Sequence, residues 1–331
     1  MERKLVSIQR IDAIEPIAGA DSIVQARVMG WTVVVKKEEF TAGDPCVFFE
    51  IDSVLPDGPG WSEFLRPRGF RVRTLKLRGV LSQGLALPVS ILDGGIPSRE
   101  LDLRDRLGVT RFEAALPDAR EIAGPFPARV PRTDEIRLQS ALGVLDELRG
   151  KDFYVSTKCD GSSATYVRDG GGLVAASRNW ALARSPNHVW RLAERHQLED
   201  RLPADMAIQG EVCGPGIQNN RLGLADVELF VFNVYDLRAG AFLELDALRA
   251  FCTDRGLRTV PIERVVRGDD ALGFDHSLEA WLEAARGTYT GTKQRKEGVV
   301  VRPLVEQPSP TLGGRLSFKV INNDFLLRDE D

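Results

Sequence analysis

The first hundred or so residues alternate between short apolar runs and turn-forming residues. Runs rich in β-branched and aromatic residues at Trp31 to Val35 and Cys46 to Ile51, with a run alternating between apolar and polar residues at Phe70 to Leu77, predict strands. Turn-forming residues interrupt the pattern at Ala42 to Pro45 and Pro56 to Gly60. Several short strands separated in this way favour a small β-barrel.

Beyond Pro131 the pattern becomes mixed α and β. Asp169-Gly170-Gly171 is a hairpin-type turn signal between two of the predicted strands. The predicted helices are Asn187 to Gln197, Asp246 to Arg255 and Ser277 to Ala285. The predicted strands are Phe153 to Lys158, Ser163 to Val167, Leu173 to Ser177, Ala207 to Val212, Leu229 to Tyr235, Gly298 to Arg302 and Arg315 to Ile321.

A connector separates the two patterns. It contains a short helical candidate at Arg99 to Leu107, followed by the proline-rich Gly124 to Pro127. We therefore expect a β-barrel domain at residues 1–95, a connector at 96–130 and a second domain at 131–331.

The composition agrees with two folded domains. The chain has 331 residues, of which 43% are hydrophobic and 28% charged, so it can build cores and is not a disordered chain. The formal charge is −4 and the pI about 5.7. This balance argues against a histone-like or tail-driven nucleic-acid binder, but it leaves room for a local basic patch.

Four scattered cysteines and three histidines narrow the possible chemistry. The cysteines form no C-x-x-C pair and the histidines no H-E-x-x-H motif, which argues against zinc sites and disulfide frameworks. No apolar run approaches the roughly 18 residues of a membrane span, and the start lacks the apolar core of a signal peptide. We expect a cytoplasmic protein without membrane contact, and a monomer by default.

The charge is not evenly distributed. Residues 1–130 hold 18 basic and 18 acidic residues, so the acidic excess lies in the second part. Between Leu65 and Arg78 there are six cations, and no acid falls between Glu63 and Asp93. The stretch is either a solvated strand face or a stripe that follows a phosphate backbone. The six cations are Arg66, Arg68, Arg71, Arg73, Lys76 and Arg78.

Two nucleotide-binding motifs can be set aside. Gly287 to Lys293 (GTYTGTK) looks like a P-loop, but it has three residues between its glycines where the motif needs four. No G-x-G-x-x-G follows a predicted strand, so a dinucleotide-binding fold has no support.

A third candidate, Lys158-Cys159-Asp160-Gly161, lies at the end of a predicted strand. Alone it is weak, because Asp-Gly is also an ordinary turn signal. It gains weight from an ordered set of further motifs. These are Thr133 to Gln139 (TDEIRLQ), Ser177 to Asn179 (SRN), Gln209 to Gln218 (QGEVCGPGIQ), Leu229 to Asp236 (LFVFNVYD), Glu297 to Arg302 (EGVVVR) and Ser317 to Ile321 (SFKVI).

In this order the motifs resemble those of the covalent nucleotidyltransferase superfamily, which contains ATP-dependent ligases and RNA capping enzymes. Only twelve residues follow Lys319, too few for a barrel domain at that end. A barrel that comes first is similar to the RNA ligase group typified by the Deinococcus and Naegleria enzymes. The resemblance implies an α+β chain: an N-terminal OB-type β-barrel followed by a nucleotidyltransferase (ATP-grasp-like, antiparallel-sheet) ligase domain.

The resemblance also implies the catalytic residues. Lys158 would attack the α-phosphate of ATP and carry AMP. An ammonium group has no lone pair, so we expect the pKa of Lys158 to be lowered by Lys319 and a divalent metal. The catalytic residues would be Lys158, Asp160, Glu211, Glu297 and Lys319. Of these, Asp160, Glu211 and Glu297 would bind Mg²⁺ or Mn²⁺ through water.

The remaining roles concern ATP and the nucleic acid. Arg137 would orient the leaving pyrophosphate, Arg178 would contact a phosphate or the ribose, and Phe232 would stack on adenine; each could instead be ordinary surface or core. Together with Lys158, Glu211 and Lys319 they would form the ATP and AMP site. The chain departs from many relatives at Ser317, where they carry a second lysine.

The resulting hypothesis is an ATP-dependent RNA ligase that acts on RNA or RNA-containing duplex ends, and in particular on nicks. The six cations between Leu65 and Arg78 would bind the nucleic acid. The alternatives are a DNA ligase, a capping-type guanylyltransferase, or a non-catalytic nucleic-acid-binding protein built on the barrel.

Overall fold

The structure is a computed structural model that describes residues 4–98, 101–112 and 119–327. The chain divides into two compact units. Unit 1 comprises Met1–Ala115, Leu138–Leu142 and Leu326–Asp331, and unit 2 comprises Leu116–Arg137 and Gly143–Phe325.

Unit 1 is built from short antiparallel strands, as predicted. Its sheets have the orders β1-β5-β9, β2-β3-β4, β7-β8 and β6-β10. The one α-helix in its described part, α1, is Arg104–Leu107; residues 99–100, where we expected it to begin, lie outside the described residues. The strands are β1 Val6–Arg10, β2 Ala13–Pro16, β3 Ile23–Val28, β4 Trp31–Lys36, β5 Pro45–Phe49, β6 Ser53–Val54, β7 Thr74–Leu77, β8 Val80–Gln83, β9 Leu85–Pro88 and β10 Thr110–Arg111.

Strand β5 is buried on both of its faces. Cys46 and Phe48 pack into one buried cluster, and Val47 and Phe49 pack into another. Successive side chains of a strand point to opposite faces, so each face of β5 covers a separate core. Burial on both faces explains the continuous run CVFF, where a half-exposed strand would alternate.

The cationic stretch does not form the single strand that we predicted for Phe70 to Leu77. A 3₁₀ helix occupies Glu63–Arg68, and Gly69 ends it in the left-handed conformation, with φ of 59°. Phe70 also has a positive φ, and the strand begins only at Thr74. The left-handed glycine that terminates the helix reverses the chain and shortens the strand.

Unit 2 contains two main sheets, which are largely antiparallel. One has the order β11-β16-β15-β14-β17-β18-β19 with β20 parallel to β18, and the other has the order β12-β25-β22-β13-β21 with β12 parallel to β25. The strands are β11 Ile122–Pro125, β12 Ile136–Arg137, β13 Phe153–Lys158, β14 Ser162–Asp169, β15 Gly172–Ala176, β16 Trp180–Leu182, β17 Met206–Cys213, β18 Glu228–Asp236, β19 Ala241–Phe242, β20 Arg258–Thr259, β21 Ile262–Val266, β22 Gly298–Pro303, β23 Pro308–Ser309, β24 Gly314–Arg315 and β25 Phe318–Ile321.

The predicted helices beyond Pro131 are present, with capping residues at two of their starts. The Asn187 side chain accepts a hydrogen bond from the Trp190 amide at 2.9 Å, and Ser277 Oγ accepts one from the Ala280 amide at 3.2 Å. Both caps satisfy an amide that the helix leaves unpaired. The helices are α2 Val144–Leu148, α3 His188–Arg195, α4 Leu198–Arg201, α5 Leu245–Asp254, α6 Asp269–Leu272, α7 Leu278–Ala284 and α8 Asn323–Leu326.

Strands β13 and β22 form the centre of the second sheet. Every residue of β22 is buried, and so is every residue of β13 except the last, Lys158. An aromatic cluster of Phe153, Phe274, Trp281 and Phe318 packs against these strands, with ring centroids 5.0 to 6.0 Å apart. Lys158 thus stands at the end of a buried strand.

No helix in the described part of the chain has the length and apolar character of a membrane span.

Candidate active site

Lys158 meets a carboxylate at the edge of the central strands. The last antiparallel pair of β13 and β22 joins Lys158 to Gly298, so Glu297 lies just outside the ladder. The Lys158 Nζ donates to Glu297 Oε2 at 2.7 Å, and both side chains are about four-fifths buried. Burial by itself would lower the pKa of Lys158. The charges of Glu297 and Glu211 outweigh it and hold the pKa above its ordinary value.

Glu211 adds a second carboxylate from the other sheet. It lies on β17, opposite Ser163 on β14 and Phe230 on β18. Burial raises the pKa of Glu211 to about 7; Lys158 opposes this rise, while Glu297 and Asp160 add to it. The three carboxylates therefore crowd negative charge around a single lysine, which suits an additional cation.

Asp160 is held by an arginine that we did not expect. Arg221 Nη1 donates to Asp160 Oδ2 at 3.1 Å, and both side chains are almost fully buried. The Arg221 guanidinium also lies 4.3 Å from the centroid of the Phe325 ring. Strand β13 ends at Lys158, so Asp160 reaches the site from a bend and not from an extended strand.

These carboxylates do not form a direct metal cage. Among the described residues, no group of three or more His, Cys, Asp or Glu side chains is placed to hold a metal ion. Glu297 and Asp160 are already bound to Lys158 and Arg221. Carboxylates that are already paired in this way suit a cation that keeps its water shell, as Mg²⁺ tends to do.

Lys319 lies among cations. On β25 it is paired with Val300 of β22 on one side and Arg137 of β12 on the other. Burial lowers its pKa to about 7, and the positive charges of Lys158 and Arg137 contribute. With the protein's own charges, the pKa of Lys319 falls, whereas the carboxylates raise that of Lys158. That Lys319 and a divalent metal together lower the pKa of Lys158 stays a prediction.

The two predicted phosphate-binding arginines approach the same place from different elements. Arg137 lies on β12, next to Lys319. Arg178 follows β15, forms an ion pair with Asp134 and lowers the pKa of Glu211. Both positions are compatible with binding phosphate oxygens.

Phe232 lies on the side of β18 that faces the KCDG turn. Its partly exposed ring packs against a cluster formed by Cys159, Cys213, Phe230 and Val260. A partly exposed ring beside the residue that follows Lys158 is compatible with stacking on a base.

The departure at Ser317 has a structural explanation. Arg302 is 3% exposed; its Nε donates to Ser317 Oγ at 2.9 Å and its Nη2 to Glu135 Oε1 at 2.9 Å. Burial would raise the pKa of Glu135, but Arg302 and Arg315 outweigh burial and lower it. A lysine at position 317 would put another cation against the Arg302 guanidinium. The charged Arg302 inside an otherwise apolar strand was the signal in the sequence, since buried arginines require partners.

The six cations of unit 1 do not behave alike. Arg66 binds Asp57 and Glu63, each at 2.6 Å, and Arg71 binds Asp52 at 2.6 Å while its guanidinium lies over the Phe112 ring. These carboxylates come before Leu65 in the sequence, so the composition of Leu65 to Arg78 did not indicate the ion pairs. The remaining four are exposed and form no ion pair with any described residue: Arg68, Arg73, Lys76 and Arg78.

Comparisons with known proteins agree with this arrangement. A family model described as an OB-fold domain matches residues 5–89, and the RNA ligase family model matches residues 151–321. A search of curated proteins finds no match. The structure of Naegleria gruberi RNA ligase with PPi is 32% identical, with 98% of each chain covered and a TM-score of 0.85.

Two further structures of that ligase are similar to the chain. A lysine-to-alanine mutant with ATP and Mn is 31% identical, covering 98% of this chain and 97% of that one, with a TM-score of 0.85. A glutamate-to-alanine mutant with AMP and Mn is 32% identical, covering 98% of each, also with a TM-score of 0.85. The family resemblance and the fold class expected from the motifs are thereby confirmed. This chain belongs to the RNA ligase family and carries an OB-fold domain ahead of its ligase module.

Proposed function

We propose that this RNA ligase uses ATP to join a 3′-hydroxyl to a 5′-phosphate through AMP bound covalently to Lys158. The observation that carries the proposal is the 2.7 Å contact between Lys158 and Glu297 at the end of a buried strand pair. Similar ligases have been solved with ATP, or with AMP and Mn. The Glu297 carboxylate holds Lys158 in place but raises its pKa, so the amine becomes a nucleophile only when positive charge from Lys319 and a bound divalent cation offsets that effect.

In the first step the Lys158 Nζ attacks the α-phosphate, the N–P bond forms and pyrophosphate leaves. The amine must lose a proton, and Glu297 is the acceptor within hydrogen-bond distance. Glu211 lies near the same pair. Because burial raises its pKa to about 7, it carries only part of a full negative charge near neutral pH. Bound through water at Asp160, Glu211 and Glu297, Mg²⁺ or Mn²⁺ would offset charge on the phosphates.

The cations on the other side of Lys158 bind ATP. Lys319 and Arg137 destabilise each other's positive charges, so an anionic phosphate between them relieves that repulsion. Arg137 orients the pyrophosphate, Arg178 contacts a phosphate or the ribose, and Phe232 stacks on adenine. Arg302, which is bound to Glu135, donates to Ser317 and so holds the residues that lead into the strand of Lys319.

The second step transfers AMP to a 5′-phosphate end of RNA, and in the third a 3′-hydroxyl attacks and releases AMP. We assign nucleic-acid binding to residues 1–95, a connector to 96–130 and adenylyl transfer to 131–331. Of the six cations we predicted, the exposed Arg68, Arg73, Lys76 and Arg78 are available for phosphate contacts. We propose nicks in RNA-containing duplexes as the substrate and the cytoplasm as the location, the latter supported by the four free cysteines.

Labelling with ATP tests this function. The full chain is incubated with Mg²⁺ and ATP labelled at the α-phosphate, and protein-bound label is measured for the wild type, Lys158→Ala and Lys37→Ala. Lys37 is an exposed lysine of unit 1 and is far from Lys158 in the sequence. We expect label on the wild type and on Lys37→Ala, and none on Lys158→Ala. An unlabelled wild type, or undiminished label on Lys158→Ala, would contradict the proposal.

The substrate is tested separately. Nicked duplexes with RNA or DNA at the 3′-hydroxyl end are incubated with the enzyme and ATP or GTP. Sealing with ATP and an RNA 3′-end supports the RNA ligase. Preference for a DNA 3′-end would instead favour a DNA ligase, and use of GTP a capping-type enzyme.

A further inference from the structure

The segment that resembles a P-loop has a structural place beside the active site. Residues 287–296 form a tight turn in which the Tyr289 amide donates to Gln294 O at 2.9 Å and the Lys296 amide to Gly287 O at 3.1 Å. Thr288 and Arg295 form a β-bridge across it. The turn directs the side chain of Tyr289 inward, where it is 4% exposed.

The Tyr289 hydroxyl joins the two principal residues of the site through their main chains. It donates to the Lys158 carbonyl oxygen at 3.0 Å and accepts from the Glu297 amide at 3.1 Å. The side chains of the same two residues meet directly at 2.7 Å. The β13–β22 ladder ends at Lys158 and Gly298, so the hydroxyl closes the gap at the point where the ladder stops.

We propose that Tyr289 is a positioning residue for lysine adenylylation, whose hydroxyl fixes the main chain of Lys158 against that of Glu297. The inference rests on the proposed function, because it concerns the attack of Lys158 on ATP. Tyr289 contacts neither side chain of the Lys158–Glu297 pair through its hydroxyl, and so it acts through their backbones.

The physical reason is the geometry of the attack. A lysine side chain has four rotatable bonds, and its amine can be held for in-line attack only if its backbone does not move. Without the hydroxyl, the Lys158 carbonyl and the Glu297 amide lose their common partner in a buried place. The two strand ends can then separate, and the fraction of time spent in the reactive arrangement falls.

A matched tyrosine separates positioning from stability. Tyr166 is fully buried, and its hydroxyl donates to the Val189 carbonyl oxygen at 2.7 Å. It belongs to the core cluster packed on the eight-stranded sheet. Tyr166→Phe therefore removes a buried hydroxyl from a backbone carbonyl, as Tyr289→Phe does, without touching Lys158 or Glu297.

The test is single-turnover formation of lysyl-AMP by the full chain over a range of ATP concentrations, with the melting temperature of each variant measured beforehand. For Tyr289→Phe we expect the maximal rate to fall on the order of tenfold, with less than a ~2-fold change in half-saturating ATP. Tyr166→Phe should keep the wild-type rate. A wild-type rate in Tyr289→Phe, or an equal loss in Tyr166→Phe, would overturn the proposal. An unlabelled wild type would instead overturn the proposed function itself.

A second variant covers the case in which Tyr289→Phe does not fold. Thr292 Oγ1 donates to Tyr289 O at 3.0 Å and accepts from the Gln294 amide at 3.1 Å. Thr292→Val keeps the Tyr289 hydroxyl but loosens the turn that aims it. We expect a fall in the maximal rate of roughly 2- to 3-fold. An unchanged rate in Thr292→Val would then overturn the proposal.

Discussion

The cations of the barrel and those of the ligase module differ in their surroundings. Arg73 and Lys76 in the barrel are exposed, whereas Arg302 and Arg221 in the ligase module are buried against carboxylates. An exposed cation attracts phosphate from solvent and loses that attraction as salt is added. A buried cation positions its neighbours and needs a partner for its charge. The same residue types can thus attract phosphate from solvent in one unit, whereas in the other they hold buried carboxylates.

Lys319 is the exception among the buried cations. Lys158, Arg221 and Arg302 each have a carboxylate within hydrogen-bond distance, whereas the strongest charges acting on Lys319 are positive. Its pKa of about 7 reflects that environment. Among these four cations, Lys319 therefore gains most from an incoming phosphate.

The largest effect is expected from breaking a buried pair. Arg302→Met leaves Glu135 without its main partner, and removing one member of a buried ion pair costs about 3–5 kcal/mol. Urea unfolding measures the change. Arg78→Met, an exposed cation in the barrel, should change the free energy of unfolding by less than ~0.5 kcal/mol. Equal losses of unfolding free energy in Arg302→Met and Arg78→Met would contradict the difference between buried and exposed cations.

Removing Lys319 should affect catalysis more than folding. We expect Lys319→Met to slow lysyl-AMP formation by about 100-fold or more, because a charge aimed at the transferring phosphate is lost. The melting temperature should not fall, because the lost charge has cationic neighbours. Single-turnover labelling measures the rate, with Lys37→Met as the control. A rate within ~3-fold of the wild type would show that Lys319 does not bind the phosphates.

Within the barrel, the exposed and paired cations can be compared directly. The triple variant Arg73→Gln, Lys76→Gln, Arg78→Gln should weaken nicked-duplex binding roughly tenfold and reduce its salt slope by about 1 for each phosphate that the variant no longer binds. Arg66→Gln should change little, because Asp57 and Glu63 already bind that guanidinium. Binding titrations at several salt concentrations measure both quantities. An unchanged salt slope in the triple variant would show that these exposed cations do not bind phosphates and are only solvated.

A smaller loss of stability than in Arg302→Met is expected from Ser317→Ala. Ser317→Ala removes one acceptor from the buried Arg302 guanidinium and should destabilise the chain by about 1–2 kcal/mol. Ser317→Lys should destabilise it more, because it places a cation beside Arg302. Thermal unfolding measures both variants. Equal or higher stability of Ser317→Lys would contradict our explanation of the departure.

The sequence predicted the elements best where a strand is buried along its whole length. Strands β13 and β22 agree with the predictions within one residue at their ends, because their runs of buried residues allow few alternatives. Phe70 to Leu77 failed because a left-handed Gly69 and the preceding 3₁₀ helix override an alternating pattern. Local pattern could not reveal either feature.

Contacts across long stretches of chain could not be predicted from the pattern of residues alone. Tyr289 meets Lys158 across 131 positions, and Arg302 meets Glu135 across 167. No periodic pattern links residues so far apart, and only the folded sheet brings them together. The ordered motifs led to the site because the family resemblance supplied the roles, while the residues that support those roles required the structure.

The central claim is that Lys158 carries AMP. The most direct measurement is peptide mass mapping of the full chain after incubation with Mg²⁺ and ATP and digestion under conditions that preserve the phosphoramide bond. The account predicts that the peptide containing Lys158 gains the mass of AMP, and that the gain disappears when a nicked RNA-containing duplex is added. AMP on another lysine, or no adduct at all in a correctly folded chain, would contradict it.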